Sequence, residues 1–235
     1  MPNDIQSMTP TTPTTAGSAG AMGAAQSRVL RNTYMLLGLS LVPTALGAML
    51  GTTMNFSFFA GSPAIGFIAF LAIAFGFFYG IEKTKNSAWG VVILLGFTFF
   101  MGLMLSRLLG QVLGLSNGGQ LIALAAGGTT VIFFAMSTLA ATIKRDLTSM
   151  GKFLFIGMVI LLLAVFANIF LQIAALTLTI MVVAIGIFSA FLMYDINRII
   201  TGGETNYISA TLSIYLSIYN IFANLLALLG ITNSD

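Results

Sequence analysis

The feature that most constrains the fold is a series of long apolar runs that repeats along nearly the whole chain. Seven stretches of about 20 residues contain almost no charged side chain, and a helix of about that length crosses the roughly 30 Å hydrocarbon core of a bilayer. Only 6% of the residues are charged and 58% are hydrophobic, with a mean hydropathy of +1.02. Soluble domains do not have this composition. The sequence predicts an all-α integral membrane protein with seven transmembrane helices.

The ends of the apolar runs predict where each span begins and ends. Six of the predicted spans are about Tyr34 to Leu50, Ser62 to Ile81, Trp89 to Leu109, Leu121 to Ile143, Leu176 to Ile200 and Tyr207 to Gly230, and the fifth span begins at Phe153. From Phe153 to Ile200 the chain stays apolar for 48 residues. As one helix this stretch would measure about 72 Å, more than twice the bilayer thickness. It must therefore fold back, and Asn168 and Gln172 mark the predicted turn.

The first 27 residues differ in composition from everything that follows. Residues 1–27 are rich in Thr, Pro, Gly and Ala and contain no aromatic residue, a composition typical of disorder. A secretory signal peptide needs a basic start followed by an apolar stretch, and neither is present. We expect a disordered cytoplasmic tail over residues 1–27 and a seven-helix transmembrane domain over residues 28–235.

The basic residues near the span ends predict the orientation. With seven spans, eight of the nine lie on the side of the N-terminus: Arg28, Arg31, Lys83, Lys85, Lys144, Arg145, Lys152 and Arg198. Arg107 is the exception, near the opposite face. Cytoplasmic loops of membrane proteins carry the excess of Lys and Arg. The N-terminus is therefore expected to be cytoplasmic and the C-terminus to lie on the other side.

Missing residue types exclude several functions. The chain has no cysteine and no histidine, which removes disulfides, thiol nucleophiles, imidazole metal ligands and His-based catalysis. One aspartate within the spans is too few for an aspartyl pair, and no span contains a lysine. No basic patch indicates nucleic-acid binding. We expect neither an enzyme nor a cofactor.

Polar side chains mark one face of the seventh span. Ser213, Ser217, Asn220 and Asn224 are spaced by four, three and four residues, which on a helix forms one stripe. Such a stripe is expected to face the bundle interior or a watered cavity. The seventh helix is therefore predicted to be central, with Asp195 of the sixth span contacting it near Ser213 or Ser217.

The same residues also have structural interpretations. Asp195 and Arg198 are three residues apart and could form an interfacial ion pair. The polar stripe could serve hydrogen bonds between helices rather than permeation. Arg107 could be an end anchor whose side chain extends to the lipid headgroups. These alternatives remain open from the residues alone.

Glycines mark a turn and several possible contacts between helices. Gly202 and Gly203 are expected to end the sixth helix, with Thr205 or Asn206 capping the seventh and Glu204 in the loop. Glycines four residues apart are a weak indicator of close helix packing. Such pairs include Gly47 and Gly51, Gly76 and Gly80, and Gly110 and Gly114.

Several segments resemble a known family. They are RVLRNTYMLLGLSL at residues 28–41, ANIFLQ at 167–172, GGETNYISATLSIYLSIYNIF at 202–222 and the pair Tyr194 and Asp195. In this order they resemble the Bax inhibitor-1 family, most closely its bacterial YccA branch, over residues 28–230. The resemblance implies a seven-helix fold with the last helix central, in a Gram-negative inner membrane. In such a membrane the orientation expected from the basic residues makes the C-terminus periplasmic. The resemblance also implies a partner, the membrane-anchored AAA+ protease FtsH, whose proteolysis the branch restrains. Gly202, Gly203 and Glu204 form the predicted protease-engaging turn.

Other branches of the family imply a different function, a pH-sensitive calcium leak gated by paired carboxylates on the last two helices. The sixth-helix carboxylate corresponds to Asp195, but the expected partner position on the seventh helix is Ser217. Ca²⁺ takes about 6–8 oxygen ligands, usually with several carboxylates, so one carboxylate beside a hydroxyl is a weaker site. We therefore expect a modulator of FtsH, with a calcium or cation leak as the alternative. The candidate gate of that alternative consists of Asp195, Arg198, Ser213, Ser217, Asn220 and Arg107.

Overall fold

A computed structural model describes residues 15–54, 56, 61–143, 145 and 147–233. Within these residues the chain forms seven α-helices: α1 (Thr15–Thr53), α2 (Pro63–Thr84), α3 (Ala88–Leu113), α4 (Gly118–Thr142), α5 (Thr148–Leu171), α6 (Ala174–Thr201) and α7 (Tyr207–Thr232). All seven are long and apolar enough to cross a membrane. A helix satisfies its backbone hydrogen bonds internally, as a spanning segment must. The prediction of an all-α, multi-pass membrane protein with seven transmembrane helices is confirmed.

The predicted turn between the fifth and sixth spans is also confirmed. α5 ends at Leu171 and Gln172 adopts a left-handed backbone conformation with φ of 51°. The Asn168 side chain accepts a hydrogen bond from the Ile173 N–H at 3.1 Å and donates one to the Thr177 hydroxyl at 2.7 Å. Asn168 thus replaces the backbone bonds that are lost where α5 stops and α6 begins.

α7 is the central helix. It packs against α1, α2, α3, α4 and α6, and no residue from Tyr207 to Gly230 is exposed. Outer helices instead present large apolar side chains outward, such as Ile65 at 70% and Phe153 at 75% exposure. Apolar side chains facing outward are what a lipid environment requires, whereas α7 is sequestered from it. The predicted central position of the seventh helix is confirmed.

α1 and α3 form the most extensive helix pair among the described residues. A Cβ atom placed on Gly47 would overlap the Phe99 backbone oxygen, and one on Gly102 would overlap the Thr44 backbone oxygen. Residue numbers increase together along the contact, so the two helices are parallel. This direction agrees with two membrane crossings between them.

The pairs of glycines four residues apart differ in how closely they approach a neighbouring helix. Gly47 and Gly51 both lie against α3, where added Cβ atoms would overlap α3 atoms. Gly76 and Gly110 have no atom within 4 Å of an added Cβ. Spacing alone therefore predicted close packing correctly at the first pair, whereas the other two pairs do not bring backbones together.

Hydrogen bonds between turns define the two ends of the bundle. The Asn206 side chain donates to the Lys85 carbonyl oxygen at 2.9 Å, joining the α6–α7 and α2–α3 turns. At the other end, the Asn117 amide donates to the Asn233 side chain at 3.3 Å. The first of these ends is called the basic end below. Its described basic residues are Arg28, Arg31, Lys83, Lys85, Arg145, Lys152 and Arg198.

The N-terminal boundary differs from the expected one. α1 begins at Thr15, so residues 15–27 of the expected disordered tail are helical. A Cβ placed on Gly202 would lie 2.8 Å from the Gln26 amide nitrogen, so this part of α1 reaches the α6–α7 turn. The segment is rich in alanine and lacks proline, and an existing helix extends more readily than a new one nucleates. Residues 1–14 of the predicted tail lie outside the described residues.

Reporter fusions test the orientation. Because basic residues concentrate at one end of the bundle, a reporter fused after residue 235 is expected to be periplasmic and one fused before residue 1 cytoplasmic. Alkaline phosphatase and green fluorescent protein fusions measure these two locations. Active phosphatase at both termini would contradict the assignment.

Candidate functional site

α6 directs Asp195 into the bundle. The side chain is 9% exposed, three residues after Leu192 and four before Ile199, both of which are fully buried. Positions three and four residues apart share one helix face. The apolar pattern of α6 therefore holds the carboxylate on the core face and away from lipid.

Distances from the basic end show which residue of α7 lies at the same depth in the bundle as Asp195. Asp195 lies six residues before the end of α6, and Ser213 lies six residues after the start of α7. Both are therefore about 9 Å from the basic end. Ser217 is one turn deeper. Ser213 is the predicted partner at the right level, and a bond between it and the carboxylate remains a prediction.

Arg198 contacts the turn after its own helix. Its guanidinium lies 3.6 Å from the Glu204 carboxylate and donates to the Gly203 carbonyl oxygen at 3.2 Å. The same group lies 5.7 Å from the centre of the Tyr194 ring. The ion pair with Asp195, which the sequence left open as an alternative, is not formed within 4 Å among the described residues. The structure instead gives Glu204 the role of partner, because the turn brings it back toward Arg198.

The α6–α7 turn is tightly closed. Gly202 has φ of 82°, a left-handed conformation that favours glycine. The Gly202 N–H donates to the Ile199 carbonyl oxygen at 3.2 Å, and the Glu204 N–H donates to that of Arg198 at 3.1 Å. The Glu204 carboxylate accepts from the Asn206 N–H at 2.9 Å. Glycine therefore ends α6 as predicted, and the exposed Gly203 lies on a short loop that these hydrogen bonds close.

Asn206 caps α7 and joins it to a neighbouring turn. Its side-chain oxygen accepts from the backbone N–H groups of Ile208 at 2.9 Å and Ser209 at 3.1 Å. Its amide donates to the Lys85 carbonyl at 2.9 Å and to the Asn86 side chain at 3.0 Å. Of the two predicted caps, Asn206 is the residue that acts.

Replacing Asn206 separates these two roles. Asn206→Ala is expected to lower the free energy of unfolding by about 2 kcal/mol, because it removes a cap and two bonds to the α2–α3 turn. Asn206→Asp retains the capping oxygen and removes the amide donor, so it should recover about half of that loss. Denaturation in mixed detergent measures both. Equal losses in the two variants would show that the cap contributes nothing.

Asn197 was missed by sequence reasoning. It is fully buried, accepts from the Leu147 N–H at 3.3 Å, and donates to the Ile143 carbonyl at 3.0 Å and that of Ala140 at 3.4 Å. It thereby joins α6 to the end of α4 and the loop that follows. The available signal was an asparagine amide inside an apolar span, between Asp195 and Arg198.

A second polar face of α7 was also missed. Thr211 donates to the Thr33 carbonyl of α1 at 3.3 Å. The Tyr215 hydroxyl is 2.8 Å from the Thr44 hydroxyl, and the Tyr219 hydroxyl donates to a carbonyl of α3 at 3.1 Å. Their spacing of four residues was visible in the sequence. These hydroxyls provide hydrogen bonds from α7 to α1 and α3.

The predicted stripe behaves differently. Asn220 and Asn224 each donate, at 2.8 Å, to the carbonyl four residues earlier in α7. Ser217 is buried and Ser213 is half-buried. The stripe thus lies inside the bundle as expected, but the described bonds of its two amides stay within the helix.

The structure separates Arg107 from the rest of the candidate gate. Arg107 is exposed and lies 19 residues beyond the start of α3, about 28 Å from the basic end. There it lines a cavity of about 370 Å³ together with Thr52 and Gln111. Of the candidate gate residues, Asp195, Arg198 and Ser213 therefore lie near the basic end, and Ser217 and Asn220 lie progressively deeper.

Comparison with known proteins agrees with this architecture. The sequence profile of the family described as "Inhibitor of apoptosis-promoting Bax1" matches residues 26–234. The chain is 40% identical over 208 residues to the Escherichia coli K12 protein named "Modulator of FtsH protease YccA", covering 88% of this chain and 92% of that protein. An uncharacterized protein of Neisseria meningitidis serogroup A is 40% identical over 213 residues, covering 90% and 94% of the two chains. The match spans all seven helices, and the chain belongs to the Bax inhibitor-1 family.

Proposed function

We propose that this protein is a non-catalytic inner-membrane modulator that binds FtsH, a membrane-anchored AAA+ protease, and restrains its proteolysis. The observation that carries the proposal is the 40% identity, over 88% of the chain, to a relative named as a modulator of that protease. The family match over residues 26–234 includes the turns that build the basic end.

The basic end supports such a role. Gly203 is exposed on a loop that is closed by the Arg198–Glu204 ion pair and by the hydrogen bond from Arg198 to the Gly203 carbonyl. A binding surface that is already ordered loses little conformational entropy when a partner docks. If the basic end is cytoplasmic, this turn faces the compartment in which an AAA+ protease of the same membrane works. The turn is therefore the proposed contact with FtsH.

Co-reconstitution tests the proposal. Purified FtsH and this protein are placed in the same liposomes, and degradation of a fluorescent membrane substrate is followed with ATP. We expect a slower rate that depends on the amount of modulator, together with a complex that survives detergent pull-down. An unchanged rate and no complex would refute the proposal.

A pair of variants tests the turn itself. Glu204→Gln removes the ion pair with Arg198 and is expected to weaken binding to FtsH several-fold. Glu82→Gln is the matched control, because Glu82 is an exposed carboxylate at the same end whose partner is Lys85. Equal weakening in both variants would contradict a specific role for the turn.

A second candidate function is a cation leak. The observation that favours it is Asp195, a carboxylate held on the core face at 9% exposure. The two charged residues that follow Asp195 in the chain, Arg198 and Glu204, pair with each other. The absence of a second carboxylate at Ser217 favours the modulator over the leak.

Flux through liposomes tests this second candidate. If Asp195 controls a pathway, Asp195→Asn is expected to remove the difference in calcium flux between acid and neutral pH. Ser217→Asp is expected to increase that difference by restoring a carboxylate pair. Wild-type liposomes that leak no faster than empty ones at either pH would exclude the pathway.

A further inference from the structure

A lateral groove opens between α1 and α4, with α7 as its floor. No Cα atom of α1 lies within 8 Å of a Cα atom of α4 among the described residues. Two adjoining cavities of about 330 and 360 Å³ fill the gap between the two helices. The α1–α4 groove is defined here by Gly38, Leu41, Ala45, Ala126, Thr130 and Ile218.

The groove requires an apolar occupant. Most of its hydroxyl groups already have partners: Thr130 donates to the Ala126 carbonyl at 2.8 Å, and Thr44 is 2.8 Å from the Tyr215 hydroxyl. The remaining lining consists largely of aliphatic and aromatic side chains. Because few polar groups are left to bind, water or a polar ligand gains little there.

The width of the groove distinguishes between two apolar occupants, a partner's transmembrane helix and a hydrocarbon chain. At its basic end the Tyr34 ring of α1 meets the Phe133 ring of α4, with centroids 5.9 Å apart, which leaves no room there for a helix about 10 Å wide. A single hydrocarbon chain is much narrower and flexible enough to pass over this ring pair. The helices on both sides of the groove are membrane spans, and acyl chains are therefore the surrounding solvent.

Positive charge lies at the basic end of the groove. Tyr34, Gly38 and Leu41 line it at spacings of four and three residues on α1. Arg31 precedes Tyr34 by three residues, so it lies on the same helix face, one turn nearer the basic end, and is exposed. Arg145, also exposed, follows the end of α4. Basic residues beside a pocket between transmembrane helices favour anionic headgroups.

We propose that the α1–α4 groove is a binding site for an anionic phospholipid, with one acyl chain between α1 and α4 and the headgroup phosphate at Arg31. The site is independent of the proposed protease contact, since it opens to the side of the bundle rather than at the α6–α7 turn. A lipid bound in this site lies in the leaflet that borders the basic end.

Native mass spectrometry of the full chain tests this proposal, with phosphatidylglycerol and phosphatidylcholine of identical acyl chains as probes. We expect phosphatidylglycerol to bind about fivefold more tightly, which is the effect of about 1 kcal/mol from one basic side chain near the membrane surface. Arg31→Gln should abolish this preference. Lys83→Gln, which removes an exposed charge at the same end outside the groove, should preserve it.

A second pair of variants tests the acyl-chain position. An added Cβ on Gly38 meets nothing within 4 Å, so Gly38→Phe should fill the groove without straining the fold and weaken phosphatidylglycerol binding at least tenfold. Gly76→Phe is the matched control, on an equally open glycine of α2. Equal affinity for the two lipids in wild type would overturn the proposal. So would a Gly38→Phe protein that still binds phosphatidylglycerol but loses its pull-down of FtsH, since the groove would then receive a protein partner.

Discussion

Replacing Gly102 by valine is expected to prevent normal association of α1 with α3. An added Cβ would overlap the Thr44 carbonyl oxygen and lie 3.0 Å from the Ala48 nitrogen. Both are backbone atoms, so no side chain can rotate away and the helices must separate. Overpacking of this kind costs about 3 kcal/mol or more. For a chain of this size the melting temperature should fall by about 10 °C.

The matched control for this prediction is Gly76→Val. Gly76 also lies within a helix, but an added Cβ meets no atom within 4 Å. Intrinsic helix propensity changes equally in the two variants, so the difference between them isolates helix packing. Thermal unfolding of the purified proteins in one detergent measures it. Melting temperatures within about 2 °C of each other would show that α1 and α3 do not pack as described.

Replacing Asn197 by leucine is expected to lower the free energy of unfolding by about 3 kcal/mol. Leucine has a similar volume but leaves the Leu147 N–H and the Ile143 carbonyl without their side-chain partner. An unpaired buried polar group costs about 1–3 kcal/mol. We also expect the amide hydrogens of the α4–α5 loop to exchange faster, because the Asn197 side chain makes the described hydrogen bonds between this loop and α6.

Asn224→Leu provides the control for Asn197. The Asn224 amide donates only to the Asn220 carbonyl within α7, and that oxygen lies within the ordinary helical ladder. Its loss should therefore cost less than about 1 kcal/mol. Equilibrium unfolding of both variants gives the comparison. A larger loss for Asn224→Leu than for Asn197→Leu would assign the anchoring role to the stripe instead.

The bilayer made much of the architecture readable from the sequence. Span number, the turn at Asn168 and the end of α6 at Gly202 each follow from constraints that act along the chain, namely hydrocarbon thickness and backbone hydrogen bonding. The central position of α7 followed from its polar stripe, because a polar face is expensive against lipid. The start of α1 could not be predicted from the sequence. Composition describes residues 15–27 by themselves, whereas their helical conformation is an extension of the stable helix that follows them.

Partner choice, by contrast, was decided only by the tertiary structure. The spacing of three residues allowed Arg198 to pair with Asp195, but the closed α6–α7 turn places the Glu204 carboxylate beside the Arg198 guanidinium instead. Glycine spacing did not distinguish Gly47, which lies against α3, from Gly76, which faces open space. Hydropathy identifies which helix face avoids lipid, but it does not specify the rotation and crossing of each helix pair. Those two quantities depend on side chains far apart in sequence, and they determine which atoms meet.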